Sequence, residues 1–270
     1  MNQALAKQAV LDCFEKFHDP KYLELDPLLI VREYLGKKEI EEVALMGALF
    51  AFGAVGQIKK SLTLALHKIS TVEAISSKTP EKEVAALWFD ALRGFRHRIY
   101  VDRDLVLLKL LYRRSDLAYG SLENHFIKHH QESSETIEAG LAGLIRDYRA
   151  WADEIEFKPG TFFHHMLNSP LQKSACKRWV MYLKWVVREN DGLDLGIWKQ
   201  GRVRTDQLVI PMDTHLFKIS KKLKFTRRKT ANWQTALEVT KSLKKIDPND
   251  PIKYDFSLCR IGMLQYRKLL

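Results

Sequence analysis

Apolar residues recur at three- and four-residue intervals along almost the whole chain, while β-branched runs are short and isolated. Each segment of this kind has one stripe to bury, and with no strands to pair it has only other helices to bury it against. The fold class this predicts is all-α. Helices are expected over 4–17, 40–52, 55–69, 81–93, 102–113, 122–130, 136–155, 174–188, 213–224, 232–246 and 252–269. Pro or Gly interrupts the pattern at His18-Asp19-Pro20, Gly94, Gly120, Lys158-Pro159-Gly160, Asn168-Ser169-Pro170 and 247–251. No internal repeat or low-complexity tract is present. A length of 270 residues suits one large domain or two small ones. We expect two helical subdomains, residues 1–165 and 166–270, hinged over 156–173.

Charge separates the same two regions. Residues 171–270 carry 22 Lys and Arg against 9 Asp and Glu, a net of +13, whereas the first 170 residues net −2. A one-sided basic excess is what a polyanion-binding face needs, because each neutralised phosphate releases counterions. No apolar run of 18 residues exists, so no membrane span is expected. The first residues, Met1 to Lys7, lack the apolar segment of a signal peptide. Cys13, Cys176 and Cys259 lie far apart in helical patterns and read as reduced thiols of a cytoplasmic protein. Three thiols do not make the four-thiolate set of an iron–sulfur cluster, and no cofactor is expected. His125 and His129 have the i, i+4 spacing of a ligand pair, but no neighbouring Cys or acidic pattern completes a zinc signature, so no metal is expected.

Two stretches carry chemistry. Pro211 cannot sit inside a helix and pushes Ile210 to extended geometry, so a loop ends there and Asp213 stands where the next helix wants its N-cap. Upstream, Ser174 is a candidate cap for a helix to Arg188, in which Lys177, Met181, Lys184 and Arg188 share one face. These residues, with Ser174-Ala175-Cys176-Lys177-Arg178, 182–188, Asp191-Gly192-Leu193-Asp194-Leu195-Gly196-Ile197-Trp198-Lys199 and Ile210-Pro211-Met212-Asp213, resemble a family of uncharacterised bacterial proteins. Further matches at Asp26-Pro27, 51–53, 94–98, 119–123 and 247–256 extend the resemblance nearly end to end. That family is in turn similar to the helix-hairpin-helix DNA glycosylases, nearest to the archaeal 8-oxoguanine glycosylase/AP lyases.

The resemblance implies two helical subdomains with a DNA-binding cleft, in a divergent glycosylase-like fold whose N-terminal helix returns to pack on the C-terminal part. It implies base excision with lyase activity on double-stranded DNA containing a damaged base, by a monomer. Lys177 takes the place of the nucleophile and Asp213 that of the carboxylate that stabilises the sugar cation. Met181, Lys184, Asp255, Cys259 and Gln57 fall at base-pocket positions, and Arg178, Arg188, His215 and Lys218 are assigned to the DNA face. A nucleophilic lysine has to be partly neutral, which desolvation and nearby cations favour, and Arg178 and Lys184 are the cations at hand. The superfamily's Leu-Pro-Gly-Val-Gly hairpin is absent. The 36-residue separation of Lys177 and Asp213 carries Gly192, Gly196 and Gly201 instead. Gly-rich turns can present backbone N–H groups to a phosphate, but the hairpin's phosphate contact is left unassigned. The competing expectations are a non-enzymatic nucleic-acid-binding protein on this scaffold and a helical protein whose basic face meets an acidic partner.

Overall fold

The computed structural model describes residues 2–263. It is mostly helical: α1 (Gln3–Phe17), α2 (Leu28–Arg32), α3 (Ile40–Phe50), α4 (Val55–Ser70), α5 (Glu81–Leu92), α6 (Asp102–Tyr119), α7 (Leu122–Ile127), α8 (Glu138–Glu154), α9 (Lys177–Val187), α10 (Thr214–Lys222), α11 (Trp233–Lys244) and α12 (Asp255–Met263). The continuation of the last helix expected to 269 lies outside the described residues. Among those described, no helix is long and apolar enough to cross a membrane.

The chain divides into two compact units, one made of Met1–Asp26, Gln131–Glu138 and Pro170–Leu270, the other of Pro27–His130 and Ala139–Ser169. A single boundary at 165/166 therefore describes the division only in part, because two earlier segments belong with the C-terminal residues. In the first unit α12 packs on both α1 and α10. Its core gathers Phe17, Trp179, Tyr182, Leu216 and Trp233, all at most 1 % exposed. Three of its helices begin on a side-chain cap. Asn2 accepts from Leu5 N at 2.8 Å, Asp213 from Leu216 N at 2.7 Å and Asn232 from Thr235 N at 3.0 Å, each satisfying a donor that the first turn leaves orphaned.

The second unit is built on helices buried all round. Every residue of α3 from Val43 to Phe50 and of α6 from Asp104 to Leu111 is buried, which suits central helices rather than amphipathic surface ones. Here α6 packs against α5 and α7, and α3 against α2 and α4. α6 runs beyond the end expected at Arg113, to Tyr119, and stops at Gly120 (φ +80°), whose N–H donates to Asp116 O at 2.8 Å. One feature departs from all-α: Arg96–His97 pairs antiparallel with Tyr100–Val101. His97 in this hairpin is buried, stacks on Phe50 and meets its carbonyl at 2.9 Å, so it is a packing residue.

Candidate active site

Asp213 sits where its sequence context put it. Leu208 to Met212 are buried, Ile210 N donates to Thr240 Oγ1 of α11 at 3.0 Å, and the chain reaches Asp213 in extended geometry (φ −108°, ψ −177°). One carboxylate oxygen caps α10, and the side chain is half-buried. Lys177 is the first residue of α9, two residues later than a helix capped by Ser174 would begin. Cys176 holds the left-handed conformation (φ +48°) at the N-cap, and Ser174 Oγ accepts its N–H at 3.2 Å, closing a tight turn ahead of the helix. The buried Cys176 and the half-buried Lys177 thus leave that turn at the helix mouth.

α12 supplies the third side of the site. Asp255, at its start, is buried, with Oδ2 3.4 Å from Lys184 Nζ and Oδ1 3.6 Å from the Cys259 thiol one turn on. Burial raises the Asp255 carboxyl above its usual range. Lys184 and Lys177 oppose that rise, and Asp213 and Asp194 add to it. The Cys259 thiol is pushed well up by burial, by Asp255 and by Asp213, against the pull of Arg260 and Lys177. Lys177 and Asp213, 36 residues apart, therefore act on the same two groups. The N-termini of α9 and α10 thus bring Lys177 and Asp213 each within electrostatic reach of Asp255 at the start of α12. Met181, one turn after Lys177, is half-buried on α9.

Behind this group lies a buried ionic network. Lys184 and Arg188, which the helical pattern aligned with Lys177, are 2 % and 5 % exposed. Lys184 Nζ meets Asp194 Oδ1 at 3.2 Å as well as Asp255. Arg188 pairs closely with Asp194, with Asp250 at 2.9 Å and with Asp191 at 3.2 Å, and Asp191 in turn meets His18 Nε2 at 2.9 Å. Burial alone would favour the neutral lysine, yet Asp194 and Asp255 outweigh it and hold Lys184 more firmly protonated than usual. Lys184 is thus neutralised by carboxylates and does not act as an excess cation beside Lys177. Arg188 is likewise removed from the expected DNA face, because its guanidinium is enclosed by three carboxylates. His215 and Lys218 are exposed on α10 and Arg178 is half-buried. Gln57 belongs to the other unit, exposed in the first turn of α4, where it donates to Ser61 Oγ at 3.1 Å.

The loop after α9 is committed to the helix it leaves. Leu195 N and Gly196 N donate to Trp185 O at 2.8 and 3.1 Å, and Trp198 N to Val186 O at 2.9 Å, which satisfies carbonyls that the helix end would otherwise orphan. Gly196 (φ +57°) makes this possible, since a Cβ there would stand 2.8 Å from Asn190 N and 3.0 Å from Arg188 O. Gly192 N donates to Asn190 Oδ1 at 3.2 Å. These two N–H groups are used inside the loop. Sequence reasoning also missed the partners Asp191, Asp194, Asp250 and His18. The available signal was Lys184 and Arg188 in line with apolar neighbours on α9, since buried cations demand carboxylates.

The chain belongs to the family described as "Protein of unknown function (DUF2400)", whose model matches residues 26–264. Neither a curated protein nor a solved structure is detectably similar to it.

Proposed function

We propose that this protein is a DNA base-excision glycosylase with AP lyase activity, acting on an oxidised purine of the 8-oxoguanine type in double-stranded DNA. The observation that carries the reading is the convergence of Lys177 and Asp213 on Asp255 and Cys259 from three helix N-termini. A base buried in a duplex has first to be extruded, and the basic half of the chain supplies charge to hold the phosphates around it.

In this reading Lys177 Nζ attacks C1′, and the C1′–N bond breaks with its electrons leaving on the base, which takes a proton. The ammonium formed loses a proton, and opening of the sugar ring at the C1′–O4′ bond converts the adduct to a C=N Schiff base. Removal of a C2′ proton then expels the 3′ phosphate. Asp213, capping the helix N-terminus, faces the positive charge that develops on the sugar. Asp255, paired with Lys184 through Oδ2, offers an acceptor to the edge of the extruded base, beside Met181 and Cys259. Arg178, His215 and Lys218 serve the phosphates.

The test is borohydride trapping on duplex DNA containing 8-oxoguanine. Wild type is expected to form a covalent adduct, Lys177→Gln none, and Asp213→Asn about a hundredfold less. Absence of both adduct and base release across a panel of lesions sinks the enzymatic reading. Salt-sensitive binding that survives under those conditions points to a non-catalytic nucleic-acid-binding protein, which the net charge of +13 over residues 171–270 also supports.

A further inference from the structure

The unit made of Pro27–His130 and Ala139–Ser169 contains a second cluster, independent of the site above. His125 lies in α7 and His129 two residues beyond its end, while Asp147 comes from α8. His125 Nε2 stands 3.2 Å and His129 Nε2 2.7 Å from the same oxygen, Asp147 Oδ2. All three ligand atoms lie within 4.8 Å of one another. We propose that His125, His129 and Asp147 form a mononuclear binding site for a divalent first-row transition-metal ion.

Ligands held about 2.1 Å from a tetrahedral ion stand about 3.4 Å apart, so small movements of these side chains admit an ion between them. Two imidazoles and one carboxylate suit Zn²⁺, Fe²⁺ or Co²⁺ rather than the all-oxygen sets of Mg²⁺ and Ca²⁺.

The surroundings fix the ligands as metal sites require. His125 Nδ1 meets Ser115 Oγ at 2.8 Å, and Ser115 also reaches Tyr148 OH at 3.1 Å and Leu111 O at 3.3 Å. With Ser115 donating to Leu111 O, its oxygen accepts Nδ1–H and the His125 Nε2 lone pair is turned to Asp147 and the ion. Tyr119 stacks on the His125 ring at 4.5 Å and Trp151 lies against it at 4.9 Å, so the ring plane is held. His129 is seated by a missing side chain, since a Cβ on Gly143 would lie 2.3 Å from its Cγ. Gly143 and Asp147 are one turn apart on α8, so the glycine that receives the His129 ring sets it beside the carboxylate.

The site opens to solvent on one side. The His125 side chain is fully buried, whereas those of His129 and Asp147 are 13 % and 18 % exposed. An ion held there keeps a coordination position for water or a ligand. Two cations oppose loading: Lys128 Nζ is 3.7 Å from Asp147 Oδ2, and Arg146 Nη2 is 3.4 Å from Oδ1 and 3.5 Å from His129 Nδ1. Both side chains are exposed, and Lys128 is drawn aside by the Tyr119 hydroxyl at 2.6 Å.

The experiment is Zn²⁺ and Co²⁺ titration of the chelator-treated full chain, with calorimetry for Zn²⁺ and visible absorption for Co²⁺. One ion per chain is expected, with d–d bands on Co²⁺ loading and a Tm raised by Zn²⁺. His129→Gln and Asp147→Asn are each expected to weaken binding about a hundredfold, and Ser115→Ala about tenfold. Melting of the metal-free variants separates loss of the site from loss of the fold. Uptake below one ion per chain, or uptake that the folded His129→Gln and Asp147→Asn variants retain, overturns the assignment.

Discussion

Each unit buries a lysine in the middle of a helix, and the two are satisfied differently. Lys109 of α6 has a side chain 4 % exposed, pairs with Glu42 of α3 and lies 4.4 Å from the centre of the Trp88 ring of α5. Its charge is consumed by one carboxylate and one aromatic face, and the result ties three helices together. Lys184 of α9 is 3 % exposed and shared between Asp194 and Asp255. Asp194 leads on to Arg188, while Asp255 is the group on which Lys177 and Asp213 act. The first lysine closes a contact. The second joins two carboxylates, one of which, Asp255, lies at the candidate site.

Removing one partner of a buried pair strands the other charge, which sets the order of effects. Asp194→Ala leaves Lys184 and Arg188 short of a shared carboxylate and is expected to cost roughly 3–5 kcal/mol in urea unfolding. Glu42→Ala is expected to cost about 1–3 kcal/mol, because the Glu42 side chain is 19 % exposed and the Trp88 ring remains under Lys109. Equal costs would break the distinction. Lys184→Met sharpens it: trapped adduct per folded molecule is expected to fall roughly ten- to a hundredfold as Asp255 loses its anchor. Lys109→Met is expected to lower stability and leave trapping per folded molecule unchanged.

The same contrast explains what was legible in the sequence. Asp213 was readable because Pro211 forces an extended entry and a cap is a local device. The Lys177 helix was readable from its apolar stripe, although its start was displaced by the left-handed Cys176, a conformation that a cysteine does not announce. Asp191-Gly192-Leu193-Asp194 reads as an exposed turn. Its role as carboxylate store depends on the loop folding back onto Trp185 and Val186, a tertiary event without a periodic signal. The hairpin at 96–101 has two residues per strand, too few to show alternation. Asp147 completes a set with His125 and His129 only because α8 packs back on α7 through Gly140 and Gly143.

Acid should separate the units with opposite signs. Burial pushes Asp191 up, but His18, Arg188 and the N–H groups of Leu193 and Asp194 prevail and hold it well below its ordinary 3.8. Its folded form therefore binds protons less readily than its unfolded one. The stability it contributes is present above about pH 3.8 and is lost as pH falls towards the depressed value. Burial raises Asp104 in α6 above 3.8, against the N–H groups of Val101 and Gly160. Its contribution is full below pH 3.8 and is lost as pH rises through the raised value. Protection of α9 amides from hydrogen exchange, corrected for the intrinsic rate, is expected to fall below pH 4, while that of α6 amides rises slightly. Asp191→Asn should flatten the α9 response, and an unaltered response in that variant would assign the acid limb elsewhere in the network.

The smallest expected effect comes from how two helices stop. α6 ends on Gly120 at φ +80°, a conformation that glycine adopts without penalty. α10 ends in the same left-handed way but with Lys224 at φ +57°. There Phe225 N donates to Ser220 O at 2.9 Å and Lys224 N to Lys221 O at 3.2 Å, the paired bonds of a Schellman motif. The motif is made, but a side chain occupies the position that favours none. Lys224 is exposed, so Lys224→Gly loses little packing and is expected to stabilise the protein by about 0.5–1 kcal/mol in thermal unfolding. Gly120→Ala is expected to cost about 1 kcal/mol or more, because nothing but Asn124 approaches the added methyl and the penalty is conformational. A Lys224→Gly variant no more stable than wild type would mean that the Lys224 side chain contributes a contact in the fold worth as much as its backbone strain costs.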